Sequence, residues 1–319
     1  DRRQRQMCIR DRFWQLPCMR TFHSVVPASI MEFYENIGVS RDVASRADTS
    51  YYGLRGLFSV RYYYDQIQAD TLEDDPNAVP ECDLPGFIYE KDENGFHLFR
   101  NEAYIPMGFT YDYYISEKLW EETSKNTRSN LLLRAMVLNA DQIEKAVRAG
   151  MKPLPSDQSR MSQEDYLNEC HARAASACDS FIYDASGFTA TISTDSPELV
   201  FFSVPYDDGW SASVNGKAID IEQVNIGFMA VPVEAGESTI VFSYETPGLR
   251  VGAYISLGGL VLLIGYLALC GIQKKRREPA EKVCCLDYAA SAEPIISDMP
   301  EEPKESDQPQ NPVEQEQEE

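Results

Sequence analysis

Residues 236–278 read "GESTIVFSYETPGLRVGAYISLGGLVLLIGYLALCGIQKKRRE". The opening residues alternate with a period of two, which puts Ile240, Phe242 and Tyr244 on one face of a strand. Pro247-Gly248 then breaks it. From Val251 to Ile272 no residue is charged. Such a run makes roughly 33 Å of helix, against a hydrocarbon core of about 30 Å. It has no polar stripe, so it reads as a transmembrane helix and not as a buried core helix. It lies far from the start and lacks a small-residue cleavage site, which sets it apart from a signal peptide.

The flanks orient the span. Lys274, Lys275, Arg276 and Arg277 follow it directly, whereas Arg250 is isolated on the other side. Cation excess marks the cytoplasmic face, so the C-terminal tail is expected inside and residues 13–250 outside, in the extracytoplasmic space. The residues between strand and span, 245–250, reach at most roughly 20 Å, which keeps the preceding domain beside the outer membrane surface. Gly252, Ser256 and Gly259 recur near helical spacing, with Gly258 and Gly265 nearby. Small residues on one face let another helix approach, although glycine is also common in membrane spans without that role. Cys270, at the inner end, suits either acylation or simple apolar packing.

The 319 residues carry a formal net charge of −22. Residues 278–319 contribute −11 of it in a Pro/Glu/Gln-rich composition, so 273–319 is expected to be a disordered acidic cytoplasmic tail. Residues 13–250 hold −18, which argues against nucleic acid as a partner and against docking on anionic lipid or polyphosphate. The first twelve residues, "DRRQRQMCIRDR", show no apolar period. They read as adapter-derived, non-native sequence joined to a truncated frame, or else as a basic linker. On the first reading the chain is the C-terminal piece of a longer protein. Cys170 and Cys178 lie eight apart on an expected helix, roughly 12 Å along its axis and too far for a bridge unless that helix ends early, so no structural disulfide is expected.

Three parts are expected before the span, giving an α+β ectodomain with a C-terminal antiparallel β-sandwich. Residues 13–118 read as a small mixed α+β domain. In it Ser29 is a candidate cap for a short helix that Gly38 stops, and Asn94-Gly95 turns a hairpin within "GFIYEKDENGFHLFRNE". Its many tyrosines suit either core packing or stacking on sugars. Residues 119–178 read as helical, through an apolar cluster at Leu131–Leu133, Met136 and Val137. A second helix begins at Asp141 and ends at Gly150, and a third is capped by Ser162. Residues 179–246 switch to short strands, with hairpin signals at Asn215-Gly216 and Ala235-Gly236, as in a β-sandwich.

Chemistry is sparse. There is no Gly-rich phosphate loop, no Cys/His metal spacing and no nucleophile elbow, and no catalytic residue, metal or cofactor is assigned. His171 reads as an exposed helix residue, since nothing at i±4 would share a metal with it. The compact candidate is "VPYDDGWSASVNGK", where Tyr206, Asp207, Asp208 and Trp210 set two carboxylates beside two aromatics. Sugar sites use that mixture, the ring lying against C–H faces while carboxylates accept from hydroxyls. The same residues also suit a Trp210 that fills the core and an Asp-Asp-Gly turn. Adjacent carboxylates cannot flank a glycosidic bond at the separation that hydrolysis needs.

The segments "HSVVPASIMEFYENIGV", "GLRGLFSVRYYYD", "NEAYIPMGFTYD" and the run from Phe201 to Leu257 together resemble the C-terminal half of bacterial YfhO-type membrane proteins. The resemblance runs from about Thr21 to Ile272, and the helical insert and acidic tail depart from it. It implies a many-span GT-C-type glycosyltransferase that moves a sugar from a polyprenyl-phosphate donor to an envelope glycopolymer, in lipoteichoic acid glycosylation. The catalytic acid of that architecture lies between early spans that are absent from this sequence, so this stretch alone is expected to be inactive. Its small-residue helix face would then meet those missing N-terminal spans. The alternative is a single-span surface protein whose sandwich binds glycan or protein without catalysis.

Overall fold

A computed structural model describes residues 26–39, 47–67 and 79–284, the last ten by backbone alone. The segment read as adapter-derived and the tail beyond Cys284 lie outside the described residues. The chain separates into two units, 1–249 and 250–319.

In the first unit, helix α1 (Ala28–Asn36) buries Phe33 and Tyr34. It ends as expected at Gly38, whose φ of +78° suits a residue without Cβ. Ser29 is not its cap. It sits inside the helix, and its hydroxyl donates to the Tyr206 carbonyl at 2.7 Å. A long-range bond has thus claimed the side chain that local logic assigned to capping. After the short helix α2 (Gly53–Leu57) come strands β1 (Tyr62–Gln66), β2 (Phe87–Glu93) and β3 (Phe96–Asn101), an antiparallel sheet in the order β1-β3-β2. Asn94 and Gly95 turn its hairpin at φ 52° and 79°, the mirror-image geometry whose twist matches the strands.

The segment expected to be helical alternates instead. Strands β4 (Phe109–Thr110) and β5 (Tyr113–Ser116) lead to helices α3 (Glu117–Glu122) and α4 (Lys125–Arg134). Strand β6 (Ala135–Leu138), helix α5 (Ala140–Arg148), strand β7 (Lys152–Pro153) and helix α6 (Gln163–Ala175) follow. Strands β6, β5 and β7 form a parallel sheet with β5 central. The apolar run from Leu131 to Leu138 therefore divides at Arg134 between helix and strand. All four residues of β6 are buried, and a strand covered on both faces shows no alternation to distinguish it from a helix. Ser162 caps α6 through a reciprocal box with Asp165, as expected. Helix α5 starts earlier than expected, on a similar box between Asn139 and Gln142.

The remaining strands are β8 (Ser180–Tyr183), β9 (Gly187–Thr194), β10 (Glu198–Pro205), β11 (Trp210–Val214), β12 (Lys217–Ile219), β13 (Glu222–Val224), β14 (Phe228–Val233) and β15 (Gly236–Tyr244). They fall into two antiparallel sheets, β12-β11-β15-β9-β8 and β13-β14-β10-β4. Asn215-Gly216 turns the β11–β12 hairpin. The turn at Ala235-Gly236 instead carries the chain from one sheet to the other. In the smaller sheet, Val200, Phe202, Met229 and Val231 join Phe188, Ile192, Ile240 and Phe242 of the larger in one buried cluster. Their neighbours Phe201, Phe228 and Ala230 belong to the main cluster with Phe33, Ile115 and Leu132. The smaller sheet is thus apolar on both faces and lies between the larger sheet and the helical part. Its edge strand β4 comes from far upstream, pairing Phe109 with Phe201 and Thr110 with Val200.

Between β13 and β14, Asn225 and Ile226 both take left-handed φ, 48° and 71°. That is costly for a β-branched residue, and the contacts around it explain why it persists. Asn225 is fully buried. Its Oδ1 accepts from the Val137 amide at 2.7 Å, its own amide donates to the Val137 carbonyl at 3.1 Å, and its Nδ2 donates to the Tyr111 hydroxyl at 3.3 Å. The Tyr111 hydroxyl in turn donates to the Leu132 carbonyl at 2.7 Å. Burial pushes the Tyr111 phenol far above its ordinary range.

Four arginines are also buried: Arg55, Arg128, Arg134 and Arg173. Arg128 donates to the carbonyls of Asn36, Trp120, Glu121 and Thr123, and Arg55 to those of Ala47, Asp48 and Tyr51. The carbonyls that Arg128 meets lie at the ends of α1 and α3, where helical donors run out, and a guanidinium carries five donors in a fixed fork.

The second unit is helix α7 (Leu249–Cys284). Within Leu249–Lys274 the most apolar 18-residue window has a mean hydropathy of 2.3 and none of it is buried, and the stretch is long enough to cross a membrane. The helix continues past Ile272, where the uncharged run ends, so the start of the expected tail is helical backbone.

Replacing Asn225 with Ala should lower stability by about 2–4 kcal/mol, by stranding the Val137 amide and straining the turn. Asn225→Asp, which keeps the acceptor but buries a carboxylate and loses the donor to Tyr111, should cost at least as much at neutral pH and less in acid. Denaturant midpoints of the two variants check this.

Candidate functional site

The residues Tyr206 to Trp210 join β10 to β11. Pro205 closes β10, and Tyr206 is then clamped by its main chain, its amide donating to the Gly227 carbonyl at 2.9 Å while its carbonyl accepts from Ser29. Asp207 shapes the turn. Its Oδ1 accepts from the Gly209 amide at 2.9 Å, and its carbonyl accepts from the Trp210 amide at 3.1 Å. The expected Asp-Asp-Gly turn chemistry is therefore present. Gly209 is required on steric grounds. A Cβ there would come within 2.5 Å of the Glu245 carbonyl and 2.7 Å of the Tyr244 ring.

Trp210 is half-buried. Its ring lies 5.8 Å from Phe188 and 6.2 Å from Phe242, so one side fills the core as the plainer reading expected. It also lies 5.0 Å from the ring of Tyr244, its partner in register on β15. The Tyr244 hydroxyl donates to Asp207 Oδ1 at 3.2 Å. Burial, and then the bond to Asp207, push the Tyr244 phenol above its ordinary value. Asp208 is exposed, and among the described residues its carboxylate has no hydrogen-bond partner.

The structure thus brings Asp207 and Trp210 together with Tyr244 and leaves Asp208 at the rim. Tyr206 packs against the same cluster as Trp210. Two exposed or half-exposed rings beside one engaged and one free carboxylate can hold a neutral polyol or sugar by stacking and hydroxyl bonds. Two adjacent residues of a single turn are not arranged for acid–base cleavage. The sequence alone does not single out Tyr244. Its alternation with Ile240 and Phe242 marked it for the core, and only the cross-strand register with Trp210 places it at the open end of the sheet.

On α7, a Cβ at Gly252, Gly258, Gly259 or Gly265 would meet nothing within 4 Å. Gly252, Ser256 and Gly259 are exposed along the helix, as is Lys274. Lys275, Arg276 and Arg277 fall where the backbone alone is described. Among the described residues, no group of three or more His, Cys, Asp or Glu side chains could hold a metal.

Residues 182–256 match the family described as bacterial membrane protein YfhO. The matched segment runs from β8 through the turn just described and into α7. The chain is also 26% identical over 89 residues to "Uncharacterized protein YfhO" of Bacillus subtilis (strain 168). That alignment covers 28% of this chain and 10% of the relative, so the chain spans a small part of the relative's length. No solved structure matches. The resemblance to YfhO-type membrane proteins is borne out over this C-terminal segment, together with a helix able to cross a membrane.

Asp207→Asn should bring the Tyr244 phenol back toward its ordinary value, because the charge that holds its proton is gone. Subtracting the tyrosinate absorbance titration of a Tyr244→Phe variant isolates that phenol. A curve unchanged by Asp207→Asn would separate the two groups.

Proposed function

We propose that the chain is the C-terminal extracytoplasmic module, final span and cytoplasmic tail of a multi-pass YfhO-type protein. That protein would transfer a sugar from a polyprenyl-phosphate donor to a cell-envelope polymer, with lipoteichoic acid as acceptor. The observation that carries the reading is the family match, which is continuous from the strands into α7. The catalytic acid would lie on spans outside this sequence. The residues here would hold or cover acceptor at the membrane surface, in a β-sandwich built from the two sheets. The turn from Tyr206 to Trp210, with Tyr244, is the surface best suited to a neutral sugar ring. Gly252, Ser256 and Gly259 would pack against the missing spans, and Lys274–Arg277 would hold the helix end inside.

A second reading keeps the binding surface and drops the chemistry: a single-span surface protein whose sandwich binds glycan or a protein partner. The Trp210–Tyr244 pair beside Asp208 favours it, since a stacking site needs no catalytic group. Reading the gene upstream of residue 13 separates the two. Many hydrophobic spans with an acidic loop residue support the transferase, and a signal peptide supports the surface protein.

Cells expressing the full-length protein should carry sugar on lipoteichoic acid that cells lacking it do not. An unchanged polymer would end the transferase reading. Orientation is tested separately. A cysteine introduced as Asp208→Cys should react with a membrane-impermeant maleimide on intact cells, and one introduced as Ser297→Cys should react only after lysis. The reverse pattern would place the folded unit inside.

A further inference from the structure

A domain this acidic also contains a concavity bordered by two guanidinium groups. A cavity of about 500 Å³ is lined by Arg61, Arg100, Asn101, Glu102, Tyr104 and His171. Three separate stretches build it: the entry to β1, the end of β3 with the turn after it, and α6. Its floor is fixed. Buried Asn101 donates Nδ2 to the Val60 carbonyl at 2.9 Å and accepts from the Ala103 amide at 3.0 Å. Its main-chain amide donates to the Arg61 carbonyl at 2.9 Å, and the Glu102 amide to that of Gly86 at 2.8 Å. The segments that carry Arg61 and Tyr104 are therefore held together without using any charged side chain of the cavity.

The cations remain available. The Arg61 guanidinium lies 5.6 Å from the ring centroids of both Tyr62 and Tyr104. Among the described residues, no carboxylate pairs with it. Arg100, opposite Tyr62 in register, has only Glu90 at 3.5 Å and Glu102 at 3.6 Å. Pairs that long between exposed groups are weak and exchange readily. Two guanidinium groups, one of them oriented by aromatic faces, thus border one space with an imidazole.

We propose that this concavity binds a phosphate ester of a polyol or sugar. Arg61 and Arg100 present forked N–H donors to the phosphate oxygens, His171 adds another N–H, and the Tyr104 ring supports the carbon skeleton. Glu102 at the rim accepts from a hydroxyl of the same ligand. A carboxylate offers two oxygens and is satisfied by one guanidinium, whereas two guanidinium groups and an imidazole match the free oxygens of a phosphate. The surrounding acidity limits attraction to this patch, which favours a single phosphate over an extended polyanion laid across the surface. The site stands apart from the transferase reading, because phosphate binding here would survive a finding of no sugar transfer.

Calorimetric titration of the full chain in detergent with glycerol 3-phosphate tests the site, with glycerol and glycerate as controls. Phosphatidylglycerol added to the same micelles, with diacylglycerol as its control because α7 enters any lipid phase, tells a lipid headgroup from a soluble ester. Binding to either phosphate source supports the site. Arg61→Ala and Arg100→Ala should each weaken it about tenfold or more. Arg61→Lys should weaken it less, and Lys118→Ala, an exposed cation outside the lining, should leave it unchanged. Circular dichroism verifies that the variants fold. Three results would overturn the proposal: no binding of either phosphate source, equal binding of glycerate, or affinity unmoved by both alanine variants.

Discussion

The buried side chain of Asn225 joins the two halves of the first unit. It completes the hydrogen bonding of Val137 on the parallel sheet while its own backbone turns the chain between two strands of the antiparallel sheet. An unmade bond at such depth is expensive, so the turn must form with its left-handed residues in place. Gly227 follows because no side chain fits there: a Cβ would meet the Ser29 carbonyl at 2.4 Å. The Gly227 carbonyl and the Ser29 hydroxyl then grip the main chain of Tyr206 from two sides. The orientation of the aromatic turn is thus fixed from a bond made well away from it, through contacts that are almost all main chain.

Charge is distributed to match. The carboxylates are mostly at the surface, and four of the arginines are inside, occupied with carbonyls and acids of the chain itself. Arg134 is bonded to Glu169 at 2.7 Å, and Arg173 to Asp112 and the Thr110 carbonyl. With those cations committed to the fold, the outer surface is more negative than composition alone conveys. An exposed guanidinium such as that of Arg61, with no carboxylate against it among the described residues, is correspondingly conspicuous.

Local chemistry made part of this legible in the sequence. The Asn-Gly hairpins, the Ser162 cap and the glycine stops at 38 and 150 are each decided within about four residues, and each stands where its residues say. The uncharged helix was legible for the same reason. What escaped was decided at a distance. Strand β6 is a strand because β5 lies beside it, and nothing in "LLLRAMVL" records that neighbour. Ser29 left its capping role for a carbonyl 177 residues away. The buried arginines carry no periodic signature, since their partners are backbone atoms. In the candidate site, the turn residues were visible as a cluster, but Tyr244 entered only through strand register.

The strand Phe109–Thr110 has a consequence for what counts as a module. The family match begins at residue 182, yet the sheet within it is bordered by two residues from another part of the chain. The matched segment is therefore smaller than the unit that folds. Excised at the start of the match, it would bare the backbone of Val200 and Phe201 as an open edge, the kind of surface through which proteins polymerise. Recombination that shuffled this segment into a new host would succeed only where the host supplied a short strand of its own.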